Sequence, residues 1–243
     1  MIIINADDWG RSRLDTDAAL DCYSSNRISS VSAMVFMKDS ERAATLANQH
    51  TIDVGLHLNF TEPFTADNVP CAVSMWQNKT ARYLNRSKFA LLVYNPALRN
   101  HFCNLYRAQH DEFVRLYNRP PSHIDGHQHM HLCSNILLDG ILPVAAKVRR
   151  SFSFSPGQKS LLNRAYRRCV DTLLARRYQL TDYFFALSRT LRPDDQSRVM
   201  ELAARANVEL MTHPREANER QCLLSPAFGD MLSRVVMSGY SAF

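Results

Sequence analysis

Two adjacent carboxylates close a short apolar run at the start of the chain, in Asn5-Ala6-Asp7-Asp8-Trp9-Gly10. Neighbours along a strand point to opposite faces, but at a strand end both can turn into one cleft. There one could bind a metal while the other stays free as a base. A helix N-cap with a spare acid is the alternative, since Asp favours that position. A second spot, Gly55-Leu56-His57-Leu58-Asn59-Phe60-Thr61, sets a histidine inside an apolar run. It reads either as a ligand or as a satisfied core histidine. The third is denser: four of the nine histidines fall between His123 and His131 in His-Ile-Asp-Gly-His-Gln-His-Met-His, all at odd positions. Residues two apart in an extended chain share a face. His123, Asp125, His127, His129 and His131 would then line one side, and neutral imidazole is the commonest metal ligand. Five groups exceed what one ion needs, so some must orient ligands by hydrogen bonding. The fourth spot, Val208-Glu209-Leu210-Met211-Thr212-His213-Pro214, is an apolar run that ends in histidine; a loop histidine is the plain alternative.

Cysteine is absent from all four spots. Asp and His donors suit Zn²⁺, Mn²⁺, Co²⁺ or Mg²⁺ better than a soft metal. Two histidines and one carboxylate leave coordination positions open for water and substrate. No G-x-S-x-G, P-loop or G-x-G-x-x-G occurs, which removes support for a serine hydrolase, an NTPase and a dinucleotide enzyme.

The elements that must position these groups alternate. Strands are predicted over 1–6, 29–37, 52–58, 122–128, 150–155, 182–187 and 207–212, with helices over 12–26, 39–49, 98–118, 134–148, 158–177 and 194–206. Residues 60–97 read as an irregular region over one end of the sheet, and Pro120-Pro121 stop the helix before them. This βα rhythm predicts a parallel sheet. Six or seven such units in 243 residues predict one domain over 1–243, an α/β fold built as a distorted or incomplete (β/α) barrel. In such folds the chemistry sits at the C-terminal ends of strands, where the four spots fall.

Composition narrows the class further. With 46% hydrophobic and 21% charged residues the chain is ordinary for a globular protein. Its glycines number only 7, and Gly10, Gly55 and Gly126 lie within two residues of Asp8, His57 and His127. The six cysteines are scattered with no C-x-x-C, so reduced thiols are expected. No apolar run is long enough for a transmembrane segment, and the first residues lack a signal-peptide pattern, so a cytoplasmic location is expected. The basic balance is local: Lys147 to Arg177 hold nine Lys/Arg against Asp171 alone. Within it, the pairs Leu161/Leu162, Ala165/Tyr166, Cys169/Val170 and Leu173/Leu174 recur at four-residue steps, predicting an amphipathic helix. Its other face carries Arg164, Arg167, Arg168 and Arg176, either as a solvated basic face or as a binder of something anionic. No nucleic-acid module is present, and no nucleic-acid partner is expected.

Together the four motifs resemble those of the YdjC/ChbG-like carbohydrate deacetylases: A-D-D-aromatic-G, G-L-H-L-N, H-x-D-x-H-x-H-x-H, and a strand ending in T-H-P. The likeness is dense over 1–62, 119–133 and 207–214. It implies a barrel related to the polysaccharide deacetylases, and one divalent metal ion (Mg²⁺ or Zn²⁺) held by Asp8, His57 and His127. It puts Asp7 in the place of the catalytic base and His213 in that of the general acid. Asp125, His129, Trp9 and Asn59 are the expected groups that orient ligands or meet substrate; Trp9 stands where Phe or Tyr is more usual and would reshape the pocket beside the metal. The implied reaction is removal of acetyl from an N-acetylated sugar, free or carrier-linked, by a chain that could act as a homodimer. Two other readings compete. One is a metal-dependent amidase or phosphoesterase on a non-sugar substrate. The other is a non-catalytic binder of anionic polymers through the basic 147–177 segment.

Overall fold

The structure is a computed structural model that describes residues 1–154 and 160–243. Six strands pair in parallel throughout: β1 (Ile2–Trp9), β2 (Ser30–Ala33), β3 (Val54–Leu58), β4 (Ile124–Gly126), β5 (Tyr183–Ala186) and β6 (Val208–Thr212). Their order, β4-β3-β2-β1-β6-β5, makes a sheet curled into a half-barrel with helices around it. Every residue of β1, β2, β3 and β6 is buried. That continuous burial is what a parallel sheet covered on both faces requires. It explains why these strands read as unbroken apolar runs interrupted only by functional groups.

The helices are α1 (Arg13–Ser24), α2 (Ser40–Gln49), α3 (Cys71–Asn85), α4 (Arg99–Tyr117), α5 (Ser134–Asp139), α6 (Leu161–Ala175), α7 (Pro193–Ala203), α8 (Ala217–Leu224) and α9 (Pro226–Leu232). Most follow the sequence pattern. Helices α8 and α9 lie beyond the last expected helix, and α3 lies in the stretch expected to be irregular, because its buried face mixes Val73, Tyr83 and Leu84 with Gln77 and Thr80 and so shows no apolar stripe. Helix α5 ends at Asp139 rather than running to 148, since Gly140 takes a left-handed conformation (φ +56°) that closes the helix.

The expected strand 150–155 is not formed over 150–154; residue 155, like 158–159 of the expected 158–177 helix, lies outside the described residues. Instead the stretch just before it closes the half-barrel point by point. Arg149 N donates to Ile124 O beside β4 at 3.1 Å, and Val148 N donates to Gln179 O at 2.9 Å. Further on, Ser153 N donates to Phe184 O in β5 at 2.8 Å. The predicted face of His123, Asp125, His127, His129 and His131 also breaks. Strand β4 ends at Gly126, and residues 127–132 turn through a 3-10 segment with Gln128 and His129 left-handed at φ +53° and +59°.

Candidate metal centre and its buried charge network

Adjacent carboxylates converge because β1 is irregular at them. Its register against β2 shifts between Ala6 and Trp9, and Asp8 takes φ +66°, a left-handed conformation that Asp tolerates better than most residues. Asp8 Oδ1 then lies 3.0 Å from His127 Nδ1 and 3.5 Å from His57 Nε2. One donor atom from each of Asp8, His57 and His127 lies within 4.8 Å of the others, and all three residues are buried.

The donor set fits a divalent ion by type and spacing. Ligands about 2.1 Å from a tetrahedral zinc stand about 3.4 Å apart, close to the 3.0 and 3.5 Å that separate Asp8 Oδ1 from His127 Nδ1 and His57 Nε2. The other ring nitrogen of His127, Nε2, faces Glu62 Oε1 at 3.0 Å. Burial opposes charge on His57, but Asp125 and Asp7 outweigh it and raise its pKa to about 9. Burial likewise opposes charge on Asp8, yet the His127 hydrogen bond and the His57 charge hold its carboxyl well below the usual range. Positive charge is thus what this cluster is built to hold.

His57 Nδ1 donates to Asp125 Oδ1 at 2.8 Å, which leaves Nε2 turned toward Asp8. This is the carboxylate–histidine pairing that orients metal ligands. Asp125 also accepts from Ser32 Oγ at 2.8 Å.

Behind the donors sits Arg149, fully buried. Its Nη1 and Nη2 donate to Asp7 Oδ2 and Oδ1, both at 2.7 Å, its Nη1 also lies 2.7 Å from Asp125 Oδ2, and its Nε donates to Glu209 Oε1 at 2.7 Å. Asn5 Nδ2 adds a 2.9 Å bond to Asp7 Oδ1. Three buried acids share one guanidinium, and burial raises the pKa of Glu209 to about 7, which relieves the surplus negative charge.

His213 follows β6 directly. Its backbone N–H donates to Glu219 Oε2 at 2.8 Å, which also accepts from Thr212 Oγ1. Nδ1 of His213 is 3.9 Å from Glu219 Oε1. The His213 side chain is 35% exposed against 2% for His57, so the cluster opens to solvent on the His213 side.

The other expected site groups fall into different surroundings. Asn59 is wholly buried, and its Oδ1 accepts from the N–H of Thr61 and Glu62 at 3.1 and 2.9 Å. It shapes the turn that brings Glu62 to His127. Trp9 is wholly buried in the main core, one residue from Asp8. His129 stands edge-on to Phe152, 4.6 Å between ring centres, and burial pulls its pKa well down. His123 stacks on Tyr240 at 3.8 Å, and His131 Nε2 meets Arg149 O at 3.0 Å.

Arg149, Glu209, Glu62 and Glu219 carry no clear signal of a site role in the sequence. Arg149 sits among the nine basic residues of 147–177, and Glu209 stands inside an apolar run. A carboxylate inside a buried strand is itself the signal that could have found Glu209, since such a group needs a buried partner.

Comparison with known proteins gives the family and the fold. Residues 1–234 match the model of the family described as YdjC-like protein. A mouse carbohydrate deacetylase is 26% identical over 245 residues, covering 88% of this chain and 77% of the mouse protein. A Yersinia pestis chitooligosaccharide deacetylase is 29% identical over 162 residues, 63% of this chain and only 57% of the Yersinia protein. Among solved structures, an Enterococcus faecalis protein with a suggested role in cellobiose-phosphate cleavage superposes with a TM-score of 0.69 over 99% of this chain and 97% of that one. At 14% identity it speaks for the fold alone. The chain belongs to the YdjC-like family.

Proposed function

We propose that this chain is a metal-dependent carbohydrate deacetylase, a hydrolase that releases acetate and a free amine from an N-acetylated sugar. The observation that carries the reading is the convergence of Asp8, His57 and His127 beside a second carboxylate, Asp7, held apart from them by Arg149. The reading takes residues 1–243 as one domain. The family relatives named above supply the sugar amide as substrate class.

Asp8, His57 and His127 would hold the ion. Two imidazoles with one carboxylate favour Zn²⁺ over Mg²⁺. A divalent ion there supplies Lewis acidity, polarising an amide carbonyl and lowering the pKa of water. Asp7 takes the proton of the attacking water as general base. Arg149 clamps both Asp7 oxygens and Asn5 adds a third bond, so the base is fixed in position before substrate arrives. His213, on the solvent side, donates a proton to the departing amine. Glu219 orients it through its backbone and steadies the imidazolium. Asp125 keeps His57 in the tautomer that a ligand needs. His129 and Asn59 act at a distance, through the aromatic cluster and the Glu62 turn.

No described helix is long and apolar enough to cross a membrane. All six cysteines are unpaired, which supports a reducing compartment, the cytoplasm. The test is acetate release from a panel of N-acetylated sugars, free and carrier-linked, before and after chelation and metal return. Release that chelator abolishes and metal restores is expected. No release from any member with metal restored overturns the reading, and phosphate release instead would favour a phosphoesterase.

A further inference from the structure

Helix α6 buries only part of its apolar stripe: Val170 and Leu174 face inward. The rest of the stripe faces solvent: Leu161 is 79% exposed, Leu162 84%, Tyr166 43% and Leu173 40%, with Ala165 and Cys169 exposed between them. Four large apolar side chains left in water on one helix face exceed scattered surface residues, and a contiguous patch of this kind marks an interaction surface.

The charges flanking the stripe identify the cover. Arg164 and Arg168 rim it on one side, and Arg176 and Arg177 follow its C-terminal end. Arg164, Arg167, Arg168 and Arg198 also line a groove of about 620 Å³ between α6 and the edge strand β5, with Phe152 and Tyr183 in its walls. None of these four arginines forms an ion pair with an acid among the described residues; Arg167 Nε donates to the Asn163 amide oxygen at 2.9 Å. The acids of the groove are already engaged, Asp171 by Arg150 at 2.7 Å and Asp182 by the Asn207 N–H at 2.8 Å. A second copy laid face to face would bring two sets of unpaired arginines together, which like charges oppose. An apolar helix face rimmed by arginine instead has the composition of an interfacial helix on anionic lipid. Exposed apolar surface continues at Val144, 70% exposed, whose neighbour Ala145 donates its N–H to Arg177 O.

We propose that α6 docks this protein on an anionic bilayer surface, its leucines in the headgroup boundary and its arginines on lipid phosphates. Residues 147–153 run alongside β5 toward the strand C-termini, and α6 returns antiparallel to them, Asp171 accepting from Ser151 N and Arg167 lying over the Phe152 ring. The N-terminal end of α6, with Leu161 and Leu162, therefore lies toward the end of the sheet that carries Asp8 and His57, and docking turns that end to the membrane. Resting on the deacetylase reading, this favours an N-acetyl sugar carried on a lipid over a free one.

The test is co-sedimentation of the full chain with phosphatidylcholine vesicles, with and without phosphatidylglycerol. Binding is expected only with phosphatidylglycerol, and it weakens as salt rises. The pair Leu161→Asp/Leu162→Asp abolishes it while thermal stability and acetate release from a water-soluble sugar stay unchanged. Each Arg→Gln change at Arg164 or Arg168 lowers the partition coefficient about fivefold. No vesicle binding at low salt overturns the proposal, as does binding that survives the Leu161→Asp/Leu162→Asp change. A dimer in sedimentation velocity that this pair disperses, without vesicle binding, overturns it in favour of a second copy. Vesicle binding is read without turnover: binding with no acetate release from any substrate would sink the deacetylase reading and leave the docking surface standing. Equal release from free and lipid-linked sugar would remove the substrate preference alone.

Discussion

Replacing Arg149 by methionine keeps much of the side chain's volume and removes its charge. In the native protein that guanidinium is 0% exposed and serves Asp7, Asp125 and Glu209, each at 2.7 Å. Breaking one buried pair costs about 3–5 kcal/mol, because the partner is left charged and unpaired. The three pairs share one cation, so their costs do not add. A loss near 4 kcal/mol is expected, and at about 2–4 °C per kcal/mol for a chain of this size Tm falls by roughly 8–16 °C. The sign of the pH effect is the sharper check. Without Arg149 the buried Glu209 keeps the Tyr240 hydroxyl but has no counter-charge, so its folded pKa rises further above the unfolded one. A raised acid favours the fold while protonated and loses that contribution as pH climbs through the folded value. The gap in stability between wild type and Arg149→Met therefore widens from about pH 5 to about pH 8. Scanning calorimetry across that range measures it. A gap that stays constant, or narrows toward pH 8, would refute the claim that Arg149 neutralises buried carboxylates. Acetate release should fall at least about a hundredfold, as Asp7 loses the clamp that positions it.

Glu209 offers a second pH signature. Its pKa, raised by burial to about 7 from 4.5, makes the native protein lose up to about 3 kcal/mol as pH rises from about 4.5 through 7. In Glu209→Gln that slope should flatten; an unchanged slope would show that Glu209 is ionised throughout. Metal analysis of His57→Ala and His127→Ala should find the ion gone from both, whereas Asp125→Asn should weaken it about 10–100-fold. Normal metal in the two alanine variants would break the ligand assignment. A Cβ on Gly55 would fall 2.2 Å from His123 Cε1, and that ring is held by Tyr240 and by Ser32 Oγ at 3.0 Å. Gly55→Ala should therefore lose about 3 kcal/mol by overpacking, read as a lower urea midpoint; wild-type stability would mean the ring is free to move.

What could be read without the structure was the local part. A polar residue at the end of an apolar run betrays itself by position, and Asp7, Asp8, His57, Asp125, His127 and His213 all lie in such places. The alternation of strands and helices followed from the same patterning, and with it the parallel sheet whose C-terminal edge carries them. Gly55, noticed for its closeness to His57, turned out to make room for His123 instead. That contact joins residues far apart in the chain and leaves no trace in spacing.

The tertiary structure decided which charges meet and which faces are covered. Periodicity establishes that α6 has an apolar stripe, but nothing in a 3.6-residue repeat says how much of it meets the core; the fold covers Val170 and Leu174 and leaves the rest of the stripe outward. Composition places Arg149 among nine basic residues, yet only the closure between β4 and Gln179 carries it inside to Asp7, Asp125 and Glu209. Strand ends are chosen by short-range propensity and hydrophobicity, so local pattern alone singles out Asp8, His57 and His127 as candidate donors. The buried counter-charge that holds them is chosen by packing across more than a hundred residues, and only the folded chain determines it.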